Sequence, residues 1–140
     1  MGAGGTRAGY GDRMTVVAAI FALLAAALHV FIWTMESLTW TQPATWRRFG
    51  VASQADADTT QPMAFNQGFY NLFLAVGAVL GVVLVAFDQD DAGWALVLFA
   101  CGSMLAAAAV LFASGKKYTR AAFAQGFSPL LAVIFTLLAL

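Results

Sequence analysis

The stretch Asn66-Gln67-Gly68-Phe69-Tyr70-Asn71 places three side-chain amides at the start of an apolar run that continues to Phe87. A shorter copy, Gln125-Gly126-Phe127, opens the last apolar run of the chain in the same way. The two openings lie two apolar runs apart. This spacing predicts one helical hairpin that is used twice, in parallel orientation.

The amino-acid composition excludes an ordinary soluble domain. Of the 140 residues, 61% are hydrophobic and 10% are charged, whereas soluble domains are only about half apolar. The apolar runs are continuous rather than alternating. This favours membrane-spanning helices over a β-barrel, since every backbone polar group in hydrocarbon must be bonded internally. We therefore predict an all-α, polytopic membrane protein.

Four apolar runs have the length of a membrane span, which is about 20 residues. The predicted helices of this four-helix bundle are Met14 to Met35, Gly68 to Phe87, Gly93 to Ser114 and Ala121 to Leu140. Residues 1–13 are predicted to be a disordered tail, and residues 14–140 to be a single transmembrane domain. The polar run Ser53 to Gln61, with Pro62 after it, is interpreted as part of a linker between the first two spans.

Charge placement predicts the orientation of the bundle. The cations on one side are Arg47, Arg48, Lys116, Lys117 and Arg120, and those on the other are Arg7 and Arg13. Since Lys and Arg concentrate in cytoplasmic loops, we expect a multi-pass protein of the plasma membrane with both termini outside. The formal net charge is zero, and no basic cluster is interleaved with aromatic residues, so no nucleic-acid partner is expected.

Four residues of the first span recur at helical spacing: His29, Trp33, Glu36 and Trp40. Intervals of four, three and four place them on one helical face. Ionisable side chains at membrane depth usually face a bundle interior or a wet cavity. His29 and Glu36 lie about 10 Å apart along the axis, which suits two groups that flank a bound molecule. Alternatively, Glu36 reaches the headgroup region and the two Trp side chains are interface anchors.

Further polar side chains enter the membrane from the same predicted side and at the same depth. They are Asn66, Gln67, Asn71, Gln125 and Ser128. Gln67 and Asn71 share a helical face, with Tyr70 beside them. Buried amides need hydrogen-bond partners, and His29 and Glu36 are the predicted ones. The pattern indicates a polar pocket in the cytoplasmic third of the bundle, or a hydrogen-bond network that only holds the helices together.

Several other sites receive little support from the sequence. The chain has one His and one Cys, so a single chain cannot form a typical zinc site, and no metal site is predicted. No cofactor is evident; a haem with His29 as axial ligand is the alternative. Gly77 and Gly81 form a Gly-x-x-x-Gly pair, which serves either packing within the chain or a homo-oligomer.

The order of these motifs resembles that of a bacterial family of small four-helix integral membrane proteins, known only as a domain of unknown function. The motifs are His29, Glu36, Trp40-Thr41-x-Pro43, Phe49-Gly50, Asn66-Gln67-Gly68-x-Tyr70-Asn71, Gln125-Gly126 and Pro129. The resemblance covers most of the chain after Met14 and implies the four-helix fold. It implies no activity. The segment from Gln125 to Pro129 follows the family pattern less tightly, which places the role of Ser128 in question.

Three functions fit these patterns. In the first, the pocket binds a lipophilic small molecule and carries out isomerase-like proton transfer, with His29, Glu36 and Tyr70 as candidate catalytic residues. Its candidate ligand-binding residues are Trp33, Trp40, Asn66, Gln67, Asn71, Gln125 and Ser128. The second is a small proton-coupled transporter or efflux subunit. The third is a structural membrane protein without catalysis.

Overall fold

The structure, a computed structural model, describes the backbone of residues 4–140 and the side chains of residues 11–140. Its helices are α1 (Gly4–Trp33), α2 (Pro43–Trp46), α3 (Gln54–Ala86), α4 (Asp90–Ala113) and α5 (Thr119–Ala139). A π-helical segment, Thr34–Leu38, continues α1, and 3-10 turns cover Arg47–Phe49 and Lys116–Tyr118. The part of the chain described here contains no strand, so the all-α prediction is confirmed.

Within residues 4–140, four segments are long and apolar enough to cross a membrane, so the chain is a multi-pass membrane protein. They are Gly11–Leu38, Gln54–Ala86, Asp90–Ala113 and Lys116–Ala139. The predicted disordered tail covers residues 1–13, of which 1–3 lie outside the described backbone. From Gly4 onward the chain is helical, so α1 begins ahead of the predicted boundary at Met14.

The spans form a four-helix bundle in which each long helix packs on two neighbours. Helix α1 contacts α3 and α5, and α4 contacts the same two helices. The hairpins α1–α3 and α4–α5 therefore form opposite sides of the bundle and run in the same direction. In each, the glycine of the repeated Gln-Gly-Phe motif packs on the preceding span: Gly68 on the segment after α1, and Gly126 on α4 at Ala108.

Small side chains predominate in the centre of the bundle, and many large apolar side chains face outward. Ala18, Ala22 and Ala25 of α1 are fully buried, whereas large residues of the same helix such as Phe31 are exposed. This distribution is expected in lipid, because small residues let helix backbones approach closely while apolar side chains on the outside contact hydrocarbon.

The α3–α4 contact is a crossing of two glycines. A Cβ added at Gly81 would lie 2.8 Å from the Gly93 carbonyl oxygen, and one added at Gly93 would lie 2.8 Å from the Gly81 carbonyl oxygen. Gly77 faces Ala100 of α4 at 3.5 Å by the same construction. The Gly-x-x-x-Gly pair therefore packs inside the chain, and homo-oligomerisation through it stays a prediction.

Helix α3 is longer than predicted, and this changes the setting of the Asn66–Asn71 stretch. The helix begins at Gln54 rather than Gly68, with the Ser53 hydroxyl accepting the Asp56 N–H at 3.1 Å as an N-cap. Pro62 lies inside the helix, where a proline removes one backbone hydrogen bond and its ring crowds the carbonyl four residues earlier. The interpretation of residues 53–61 as linker is wrong, because polar residues can continue a helix beyond the hydrocarbon. At 1.5 Å per residue α3 is about 50 Å long, against about 30 Å of hydrocarbon.

The connection from α1 to α3 is held by two tryptophans. Trp40 Nε1 donates to the Ala57 carbonyl at 2.9 Å, and Trp46 Nε1 donates to the Gln54 side chain at 3.1 Å. Trp40 also packs against Phe49, with ring centroids 5.2 Å apart. The prediction that Trp40 shares a helical face with Glu36 is wrong, because the helix ends at Leu38 and Trp40 follows in the turn.

Candidate functional site

The candidate site is centred on Glu36, which lies in the π-helical segment at the end of the first span. The Thr39 N–H donates to the Thr34 carbonyl, five residues earlier, at 3.1 Å. This wider turn changes the direction of the side chains relative to a continued α-helix. Because π-helical turns are rare and frequently lie at functional sites, the segment singles out Glu36.

Glu36 is buried against α3 and bonded to one amide. The residue is 8% exposed, and Asn71 Nδ2 donates to its Oε2 at 2.8 Å. Asn71 Nδ2 also donates to the Gln67 backbone carbonyl at 3.2 Å. Since an NH2 group carries two hydrogens, Asn71 can make both bonds at once. The bond to the Gln67 carbonyl orients the amide toward Glu36. Among the described residues Glu36 Oε1 has no hydrogen-bond partner, so one carboxyl oxygen is available for a ligand.

Gly68 allows the close contact between α3 and the π-helical segment. A Cβ at this position would lie 3.1 Å from Glu36 Cβ and would overlap the Ser37 hydroxyl. That hydroxyl donates to the Phe65 carbonyl at 3.0 Å and so joins the two segments. The motif glycine therefore makes room for the Glu36 and Ser37 side chains at the site. It does not mark the start of a helix.

Trp33 contributes a buried donor that has no partner. Its indole packs edge-on against Phe69 of α3, with ring centroids 6.1 Å apart at 76°. Among the described residues, Trp33 Nε1 and Thr136 Oγ1 are the buried side-chain atoms without a hydrogen bond. A buried donor left unpaired costs about 1–3 kcal/mol. An oxygen acceptor that enters the α1–α3 contact would remove this cost.

His29 lies two helical turns before Glu36 in the bundle interior. It is 1% exposed, and its Nδ1 donates to the Ala25 carbonyl of its own helix at 2.9 Å. This bond makes Nε2 the acceptor of the neutral ring. No hydrogen bond joins His29 to Glu36 in the described part of the chain. A haem at His29 stays a prediction.

The other predicted site residues do not join Glu36 or His29 through hydrogen bonds within residues 11–140. On α3, Asn66 is exposed and donates to the Pro62 carbonyl of its own helix at 3.2 Å. Gln67 is exposed, and Tyr70 is 67% exposed on the outer surface. Gln125 and Ser128 are half-buried on α5. Of the five polar residues predicted to converge, the structure brings Asn71 alone into hydrogen-bond contact with Glu36.

Two motif residues, Glu36 of the first span and Asn71 of the second, are thus in contact. Both lie within the residues that a family model matches. The model described as "Protein of unknown function (DUF1304)" matches residues 23–137, well over half of the chain. The chain belongs to the DUF1304 family. No curated protein and no solved structure matches it. The match confirms the resemblance inferred from the sequence motifs and assigns no activity.

The DUF1304 chain carries a specific set of chemical groups at this contact, all within the matched residues. Within residues 11–140, Glu36 provides a carboxyl oxygen without a hydrogen-bond partner, Asn71 orients that carboxyl, and Trp33 provides an unpaired N–H. A carboxyl group can take up or release a proton, and an N–H can stabilise negative charge on an oxygen. These groups, which we call the Glu36 site, suit proton transfer on a molecule that carries a polar oxygen.

Proposed function

We propose that this DUF1304 protein binds a lipophilic small molecule at the Glu36 site and moves a proton on it. The observation that supports this most is the buried Glu36 carboxyl on a π-helical turn, bonded at 2.8 Å to a neutral amide rather than to a cation. Ionisable groups at membrane depth are costly, and those that persist commonly serve a function. The carboxyl acts as the acid–base group.

The proposed reaction is an isomerisation. Glu36 takes a proton from a carbon beside a carbonyl group and returns it to a different carbon of the same molecule, so that no oxidant or cofactor is required. Negative charge gathers on the carbonyl oxygen between the two steps. The unpaired Trp33 N–H donates to this oxygen, which stabilises the charge in surroundings of low polarity. Asn71 holds the carboxyl in place through its 2.8 Å bond.

Aromatic side chains beside the site support a lipophilic substrate. Phe65, Phe69 and Phe73 follow one another along α3, with ring centroids 5.0 Å and 6.2 Å apart. Phe65 and Phe73 are exposed on the outer surface, and Phe69 contacts Trp33 at the site. This aromatic strip leads from the membrane side of the bundle to the Glu36 site, so we infer that the substrate enters from the bilayer.

We further propose that the Glu36 site lies in the cytoplasmic half of the plasma membrane, with both termini outside. Five cations lie at the end of the bundle nearer Glu36. Arg47 and Arg48 follow the π-helical segment, Lys116 and Lys117 lie in the turn after α4, and Arg120 lies in the first turn of α5. Cytoplasmic loops carry the excess of Lys and Arg in membrane proteins.

Mass spectrometry of small molecules that co-purify with the protein in mild detergent tests the binding step. We expect one lipophilic species that carries a carbonyl or hydroxyl oxygen in the wild type, and much less of it in Glu36→Gln and Trp33→Phe. The latter keeps an aromatic ring against Phe69 but removes the N–H. Asp91→Asn is the matched control, since Asp91 is an exposed carboxylate in the first turn of α4.

Two results would contradict the proposal. One is equal recovery of every small molecule from the wild type and from Glu36→Gln. The other is an empty wild-type protein in which Glu36→Gln lowers only the free energy of unfolding. The second result would assign the Glu36 site to helix association.

A further inference from the structure

The α4–α5 contact, on the opposite side of the bundle from the Glu36 site, contains an apolar groove of about 270 Å³. Buried small residues form its floor, and half-exposed or exposed aromatic rings form its walls. The floor and wall residues that define this α4–α5 groove are Ala108, Ala122, Gly126, Phe112, Phe123 and Phe127. The exposed rings lie on the outer surface of the bundle, so the groove can be reached from the membrane.

The groove is shorter than one leaflet of a bilayer and lies beside the α4–α5 connection. It runs along α4 from Leu105 to Phe112, about 10 Å at 1.5 Å per residue. One leaflet contributes roughly half of the 30 Å of hydrocarbon. One end of the groove is marked by Phe112 and Phe123, whose rings meet edge-on 6.1 Å apart, next to the α4–α5 connection.

Three cations lie at that end. Lys116 and Lys117 belong to the 3-10 turn between the helices, and Arg120 lies in the first turn of α5. All three are exposed. Residues 114–120 contain no carboxylate. Lys117 Nζ lies 4.8 Å from the centroid of the Tyr118 ring, a contact that keeps the ammonium group near the membrane surface, where Tyr side chains concentrate.

We propose that the α4–α5 groove binds one anionic phospholipid, with an acyl chain along the groove and the headgroup phosphate against Lys116, Lys117 and Arg120. Basic residues at the end of an interhelical groove recognise anionic headgroups, because the charges attract while the groove fixes the chain. Close packing rather than the hydrophobic effect holds the acyl chain in the groove, because the acyl chain is surrounded by hydrocarbon both when it is bound and when it is free in the bilayer. This site is independent of the Glu36 site.

A second copy of the chain fits the groove less well. A two-fold symmetric dimer uses the same patch on both subunits, so it would bring the cations of the two copies together at one end. Like charges that face each other across an interface are unfavourable. An anionic lipid instead neutralises them.

Native mass spectrometry of the detergent-purified protein tests the proposal, with phosphatidylglycerol as the anionic probe and phosphatidylcholine as the zwitterionic one. The first variant is the triple substitution Lys116→Gln, Lys117→Gln and Arg120→Gln. At about 1 kcal/mol for each of the three cations, we expect phosphatidylglycerol affinity to fall by about a hundredfold. Arg47→Gln with Arg48→Gln is the matched control, because it removes cations from the other connection and should leave the affinity unchanged.

A second variant fills the groove without altering charge. Ala109 lines the groove and is exposed, so Ala109→Phe can occupy the groove while the protein stays folded. We expect it to lower phosphatidylglycerol affinity, while Ala95→Phe, which adds the same bulk at an exposed position near the other end of α4, does not. Circular dichroism of each variant verifies helicity.

Three outcomes would overturn the proposal. In the first, both probes bind equally well to the wild type. In the second, the triple variant weakens binding but Ala109→Phe does not, which would mean that the cations attract lipid without a groove site. In the third, Ala109→Phe converts a dimer to a monomer without changing lipid affinity, which would assign the groove to a second copy.

Discussion

The hydrogen bond between Glu36 and Asn71 makes a specific prediction about coupled substitutions. Asn71→Leu removes the amide and leaves the Glu36 carboxyl, 8% exposed, without a partner among the described residues. An unpaired buried polar group costs about 1–3 kcal/mol, so we expect the free energy of unfolding to fall by about 2 kcal/mol. Glu36→Met should cost less, because Asn71 keeps its bond to the Gln67 carbonyl.

The double variant of Glu36→Met and Asn71→Leu should be more stable than Asn71→Leu alone. Replacing both partners by apolar groups of similar size leaves nothing unpaired and is often nearly neutral. The coupling free energy should be on the order of 1 kcal/mol, within the range for interhelical hydrogen bonds in membranes. Reversible unfolding in mixed micelles, followed by circular dichroism, measures all four proteins. Effects that add to within about 0.3 kcal/mol would refute the bond as a determinant of this contact.

Three further substitutions test other contacts in the same unfolding assay. Gly93→Ala should lower the free energy of unfolding by about 1–3 kcal/mol, because a Cβ there meets backbone and the helices must separate. Trp40→Phe should cost about 1 kcal/mol, because it removes the donor to the Ala57 carbonyl. Gly68→Ala should lower both stability and recovery of the co-purified small molecule, because it displaces the Ser37 hydroxyl beside the Glu36 site.

Controls are available for each. Gly102 has open space around its Cβ position, so Gly102→Ala should be neutral or slightly stabilising, given the higher helix propensity of Ala. A loss in Gly102→Ala equal to that in Gly93→Ala would contradict the glycine crossing. Unchanged stability of Trp40→Phe would show that the connection is held by other contacts. Normal recovery of the small molecule with Gly68→Ala would show that binding does not depend on the close contact between α3 and the π-helical segment.

The four spans were predictable from the sequence because, in a chain of this composition, apolar runs of this length indicate membrane-spanning helices. The start of α3 was not. Pro62 and the polar residues before it are typical of linkers, and the sequence does not show that the helix continues outside the hydrocarbon, capped by Ser53. The repeated Gln-Gly-Phe motif was recognised, but its glycines serve close packing on the preceding span rather than the opening of a helix.

The candidate site was predictable in part. Spacing and membrane depth predicted Glu36 and Asn71 as facing residues, and they are hydrogen-bonded. The π-helical turn was missed because residue propensities do not distinguish it from an α-helix. The helical face that carries His29 and Glu36 ends with this turn, before Trp40. The unpaired state of the Trp33 N–H depends on tertiary packing, which no local pattern encodes. The exposure of Tyr70 follows from the direction of α3 relative to its neighbours.

Deuterium incorporation tests the central claim most directly. Protein in lipid nanodiscs is supplied with a lipid extract in heavy water, and mass spectrometry follows deuterium at carbon positions of each lipophilic species. A carboxyl that removes and returns a carbon-bound proton exchanges it with solvent. We predict incorporation into one species with the wild type and with Asp91→Asn, and loss of it with Glu36→Gln. Equal incorporation with Glu36→Gln and the wild type would contradict Glu36 as the proton-transfer group.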